Sequence, residues 1–149
     1  MCLRWLYNHL TPGATVIDYG CGSGILAIAA VKLGAGRAEG VDIDEQALLA
    51  ARHNAMQNHT DVSFYAAADA LKQPAHVVVA NILANPLTVL APLLARLTLP
   101  GGRVVLSGIL VPQADDVSAA YRPWFNLQLA EREDGWVLLA GVKRAVALI

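Results

Sequence analysis

The sequence predicts an α/β domain: a mostly parallel, seven-stranded sheet with helices on both faces and an antiparallel hairpin at its C-terminal end. Three observations carry this. Between Thr15 and Tyr121, short apolar runs of strand length alternate with helix-like segments, and repeated βα units imply parallel strands joined by right-handed crossovers. Apolar residues make up 56% of the chain, which suits strands covered on both faces. After Tyr121 the pattern changes to two strand-like runs joined through Glu133-Asp134-Gly135, and Asp-Gly is a strong hairpin signal. A chain of 149 residues fits one domain with a substantial core.

Leu3, Leu6 and Leu10, with Trp5 alongside, predict a short opening helix that stops before Thr11-Pro12-Gly13. Thr15 to Asp18 reads as the first strand. Ile25 to Leu33 is a compact, Ala-rich helix ended by Gly34 and Gly36. Arg37 to Asp42 is the second strand, and Asp44 is placed to cap a helix running to about Asn58, with Ala47, Leu48 and Ala51 on its buried face. Val62 to Ala66 and the all-apolar Val77 to Ala80 are strands three and four. Pro86 suits the first turn of a helix that continues through Leu97. Leu99-Pro100-Gly101-Gly102 reads as a tight turn into strand five, Arg103 to Ser107, and a helix from about Gln113 to Tyr121 follows. Phe125 to Glu131 and Trp136 to Val142 form the terminal pair.

Composition excludes several classes of function. The formal net charge of −1, with no basic block, gives no support to direct nucleic-acid binding. Cys2 and Cys21 are far apart and suggest neither a disulfide framework nor a metal site. His9, His53 and His59 show no ligand spacing, and His76 reads as a surface residue. The richest apolar stretch, Val77 to Leu99, is interrupted by Asn81, Asn85, Pro86, Pro92 and Arg96, so no membrane span is expected. Met1 to Leu10 lacks the sustained apolar core of a signal peptide. A cytoplasmic location is expected.

Chemistry concentrates in Val16-Ile17-Asp18-Tyr19-Gly20-Cys21-Gly22-Ser23-Gly24 and in Asp42 at the tip of the next strand. Glycines at alternate positions let backbone pass close to a bound cofactor, where a Cβ would collide. Asp42 is placed to accept hydrogen bonds from two ribose hydroxyls. A pyrophosphate-binding turn usually reads GxGxxG, and its anion would be repelled by the acid two residues before Gly20. Asp18 instead suits a cationic ligand, such as the ammonium or sulfonium of S-adenosylmethionine. The alternative for Asp18 is a carboxylate that braces the loop by accepting backbone N–H groups. Cys21 reads as small loop filler, because no basic partner lies nearby in sequence.

Two further polar residues stand where ligands bind in open α/β folds, at the carboxyl edge of the sheet. Asp69 follows strand three and could accept a bond from an adenine amino group, or be a plain loop residue. Asn81 closes an otherwise apolar strand and could orient a methyl donor or acceptor, or cap the strand end. The candidate cofactor-binding set is therefore Asp18, Gly20, Cys21, Gly22, Gly24, Asp42, Ile43, Asp69 and Asn81. Asn81 is the catalytic candidate, and no metal site is expected.

With these residues in view, the chain resembles the methyltransferase family that modifies large-subunit ribosomal protein L-eleven. The likeness is close across Val16 to Ile43 and again across Val77 to Leu90, where Asn81-Ile82-Leu83-Ala84 is the specific element. It continues more loosely through Leu106-Ser107-Gly108-Ile109-Leu110 and covers almost the whole chain. The resemblance implies a single Rossmann-like class I methyltransferase domain, whose sheet carries its last strand antiparallel. It implies S-adenosylmethionine as cofactor, with contacts at Gly20, Asp42 and Asn81, and methylation of amino groups on a ribosomal protein of the large subunit. Lysine side chains are the first candidates and the N-terminus a further one. Family members carry an N-terminal substrate-recognition domain ahead of this region, so residues 1–149 are expected to be the catalytic domain alone. From the residues themselves, a methyltransferase of small molecules or RNA, or a cofactor-binding domain without transfer activity, remain the alternatives.

Overall fold

Alternation along the central strands sets the architecture. In the computed structural model, which describes residues 1–145, neighbouring side chains of each central strand enter opposite apolar layers. Val16, Val77, Val79, Val105 and Leu138 face one layer, while Ile17, Val78, Ala80, Val104, Leu106 and Leu139 face the other. A strand's side chains alternate between faces, so runs that are apolar at every position must lie between two layers of helix. Fully burying each of these valines and leucines contributes about 1.5–3 kcal/mol.

The elements follow in the order α1 (Cys2–His9), β1 (Thr15–Tyr19), α2 (Ile25–Lys32), β2 (Arg37–Val41), α3 (Glu45–Gln57), β3 (Ser63–Tyr65), β4 (Ala75–Asn81), α4 (Ala84–Leu97), β5 (Thr98–Leu110), α5 (Ala114–Tyr121), β6 (Gln128–Glu133) and β7 (Trp136–Val142). They form one sheet of order β3-β2-β1-β4-β5-β7-β6. Pairings from β3 through β5 are parallel, and β7 pairs antiparallel with both β5 and β6. Helices α1, α2 and α3 supply one layer, α4 and α5 the other. The Asp44 carboxylate accepts the Gln46 N–H at 2.9 Å and caps α3 as the sequence predicts. Asp134 and Gly135 take φ of 52° and 83° at the hairpin tip, the pair of positive values that a two-residue turn between twisted strands requires.

Three expectations need correction. Helix α1 buries Cys2, Trp5 and Leu6, an i, i+3, i+4 face, whereas Leu3 points outward at 47% exposure and Leu10 lies beyond the last turn. Leu99 to Gly102 is an excursion inside β5 and not a turn before it: Ala75 pairs with Thr98, then Val77 with Arg103. Gly101 enters it at φ 78°; its N–H donates to the Lys143 carbonyl, and the Lys143 N–H donates to the Gly102 carbonyl. Finally, β6 starts at Gln128; Phe125 makes a lone bridge to Lys143 and is buried against Tyr121. Its apolar character serves the α5 layer, not an alternating strand.

Candidate functional site

The chain reverses between β1 and α2 through Gly20-Cys21-Gly22-Ser23-Gly24. The Gly20 and Cys21 N–H groups both donate to the Val41 carbonyl, at 2.7 and 3.0 Å, anchoring the loop to the end of β2. The glycines are required for different reasons. A Cβ on Gly20 would stand 2.7 Å from the Ile82 side chain, and one on Gly24 2.9 Å from the Phe64 ring. A Cβ on Gly22 would meet nothing within 4 Å. The Cβ positions of Gly20 and Gly24 thus face protein, while that of Gly22 faces open space.

Both motif carboxylates hold backbone. Asp18 is 2% exposed, and its Oδ2 accepts the Ala27 N–H at 3.1 Å, inside the first turn of α2. Burial pushes its pKa up to about 7, opposed by the Ala27 bond and reinforced by the charge of Asp42. The bracing role considered for Asp18 is therefore present in the structure. Asp42 accepts the Gly22 N–H on Oδ2 at 2.8 Å and the Asp44 N–H on Oδ1 at 2.9 Å. Each carboxylate oxygen has two acceptor positions, so Asp42 can hold the loop and still accept bonds from a ligand. Cys21 is buried, with its thiol pushed up to about 12 by burial first and then by Asp18 and Asp42, which favours the protonated thiol over the thiolate.

A cavity of about 370 Å³ lies over this loop, lined by Asp18, Gly20, Cys21, Gly22 and Asn81 among others. It sits where β1 and β4 lie side by side with their following helices on opposite faces, the switch point at which open α/β sheets bind ligands. A second cavity of about 440 Å³ shares Met1 and Asn81 with it and adds Ile82, Leu83, Ser107, Gly108 and Trp136. Asn81, exposed at the end of β4, borders both. Gly108 lets β5 approach the turn after Asn81, since a Cβ there would collide with the Ile82 carbonyl.

The structure does not bring every candidate to this place. Asp42 reaches the cavity only through its bond to Gly22, and Gly24 caps α2 behind it. Ile43, at 89% exposure, and Asp69, exposed on the single helical turn Ala68–Ala70, line neither cavity. Met1, Cys2, Leu3 and Leu26 line the first cavity unforeseen. Met1, Cys2 and Leu3 arrive with α1 and Leu26 with α2, through packing for which spacing along the chain carries no signal. Among the described residues no cluster suits a metal ion, and no helix is long and apolar enough to cross a membrane.

A family model described as "Ribosomal protein L11 methyltransferase (PrmA)" matches residues 1–144. The chain belongs to that family. It is 57% identical over 144 residues to the ribosomal protein L11 methyltransferase of Thiobacillus denitrificans, and 55% identical to that of Neisseria meningitidis serogroup B; each match covers 97% of this chain and 49% of the relative. The chain thus spans about half the length of the curated relatives it matches. Its structure is also similar to the ribosomal protein L11 methylase of Lactobacillus delbrueckii subsp. bulgaricus, with a TM-score of 0.87 and 33% identity over 96% of this chain and 77% of that one. The seven-stranded sheet with its antiparallel last pair is the class I methyltransferase fold within the L11 methyltransferase family.

Proposed function

We propose that this chain is the S-adenosylmethionine-dependent catalytic domain of a cytoplasmic protein methyltransferase acting on amino groups of ribosomal protein L11, lysine side chains first. The observation that carries this reading is the cavity at the β1–β4 switch point, where Asp18, Gly20, Gly22 and Asn81 meet. Family membership supplies the reaction class. The residues present fit the cofactor: the space beside Gly22 is open to a close approach, and a buried carboxylate at Asp18 complements a cationic ligand. In this reading Asp42 holds the ribose, Asp18 faces the cationic part, and Ile43 and Asp69 lie further out toward the base.

When bound, the cofactor supplies a methyl group already activated by its sulfonium. The chain's own residues need only position two reactants and exclude water, and no protein nucleophile is required. An acceptor lysine must be neutral to attack, which costs about 4–5 kcal/mol at neutral pH from a reference pKa near 10.4. Asn81, bordering both cavities, has an amide oxygen that can accept a hydrogen bond from the incoming amine and fix its lone pair. The apolar wall of Ile82, Leu83 and Trp136 lowers the local dielectric, which favours the neutral amine. We place recognition of the ribosomal protein in the part of the relatives' length that this chain does not span.

Calorimetry with S-adenosylmethionine and with NAD, followed by radiolabelled methyl transfer to purified ribosomal protein L11, tests the reading. Binding of S-adenosylmethionine with little or no NAD binding is expected. Weak transfer by the 149-residue chain should rise when the remaining half of a relative's length is joined to it. Tighter binding of NAD, or no transfer in the longer protein, would overturn it.

A further inference from the structure

The opposite edge of the sheet, where β1 and β4 begin, carries a cavity of about 620 Å³ that the reading above does not use. Its lining includes His9, Thr11, His76 and Arg103 but no Asp or Glu. We propose that this cavity is a binding site for a small oxyanion-bearing molecule, a carboxylate or a phosphate ester, held by Arg103 and His76.

The donors are set by the surrounding bonds. His76 Nδ1 accepts the Thr15 backbone N–H at 3.0 Å, and the His76 backbone N–H donates in turn to Thr15 Oγ1 at 3.1 Å. A ring nitrogen that accepts a backbone N–H carries no proton, so the proton of the neutral ring sits on Nε2 as a donor. Among the described residues that donor has no protein partner. His9 Nδ1 lies 2.9 Å from the Trp5 carbonyl, which can only accept, so this nitrogen carries the proton; Nε2 of the neutral ring is then an acceptor, and His9 adds no donor to the cavity.

Arg103 completes the set. Its guanidinium stands 5.8 Å from the centroid of the Trp5 ring, while His9 stacks on that ring at 4.7 Å and 16°. The Trp5 ring face holds the guanidinium near it, and among the described residues no carboxylate or carbonyl occupies the guanidinium. A guanidinium presents five donors in the geometry that carboxylates and phosphates match bidentately. Arg103 is the only Lys or Arg in the lining, so the successive phosphates of a nucleic-acid backbone would find nothing further to bind. An open cleft of this size suits a small molecule.

The test is a titration of the isotopically labelled chain with inorganic phosphate and, separately, with citrate, at ionic strength fixed with sodium chloride. Side-chain signals of His76 and Arg103 are followed by NMR. Saturable shifts with either anion, at least tenfold weaker in both Arg103→Gln and Thr11→Glu, are expected. The second substitution changes an exposed loop position and only adds a negative charge to the lining. S-adenosylmethionine affinity should be the same in both variants, which separates this site from the one at the other edge. The stronger of the two anions identifies the oxyanion class. Shifts that sodium chloride alone reproduces, or that survive Thr11→Glu unchanged, would overturn the proposal.

Discussion

Replacing Asp18 with Asn should change stability and ligand affinity in opposite directions. The carboxyl is 2% exposed and pushed up to about 7, against about 3.9 for an unfolded chain. A raised acid holds its proton more tightly in the folded state. Its stabilising contribution is therefore complete below about pH 4 and is lost as pH rises through 7. At about 1.4 kcal/mol per pKa unit, the loss between pH 5 and pH 8 comes to roughly 2–3 kcal/mol. The Asp18→Asn side chain keeps an oxygen for the Ala27 N–H but carries no charge to desolvate. Urea unfolding of both chains without ligand, at pH 5 and pH 8, measures the difference. The parent should lose roughly 2–3 kcal/mol more than Asp18→Asn over that interval, a double difference from which any fixed cost of the amide cancels. At pH 8 the variant should bind S-adenosylmethionine at least about tenfold more weakly, one lost charge contact being worth that much. Parallel stability profiles would refute the buried charge, and unchanged affinity would refute contact with the cationic ligand.

Gly22→Ala should fold, with a cost of about 1 kcal/mol for its positive φ, yet lose cofactor affinity in calorimetry. Gly24→Ala should lower the unfolding midpoint further, because its Cβ meets Phe64 and Ala51. Asp42→Ala should weaken cofactor binding by about a hundredfold or more, from bonds of roughly 1.5–3 kcal/mol each; a change below about threefold would mean that Asp42 does not touch the ribose. Tyr121→Phe removes a buried hydroxyl that donates to the Leu87 carbonyl at 2.6 Å, and should cost about 1 kcal/mol in denaturant unfolding with cofactor affinity unchanged.

What was legible in the sequence was local and periodic. Val77-Val78-Val79 could be read as a strand covered on both sides, and Asp134-Gly135 as a hairpin tip, because each signal lies within a few residues. Asp44 could be read as a cap for the same reason. The buried face of α1 was not legible: Leu3 and Cys2 are both apolar, and only docking on the sheet decides which one turns inward. The excursion at Leu99 to Gly102 uses the residues of an ordinary turn, and its partner, Lys143, lies far along the chain. In the candidate site, Asp18 and Asn81 could be read from strand ends, and Gly20 and Gly22 from their alternate spacing. Met1 and Trp136 reach the same place from the two ends of the chain, so no motif could have announced them.

The two bonds of Asp42 have a consequence for how a ligand is received. One carboxylate clasps loops that follow two different strands, at Gly22 and at Asp44. The bond to Gly22 ties the loop after β1 to the start of the loop after β2, so the Gly22 amide should exchange with solvent slowly while that bond holds. A ligand arriving at this edge meets a cradle already frozen in shape. The freedom that a floppy loop would surrender on binding has been given up during folding instead, and the contacts made there count almost wholly toward affinity.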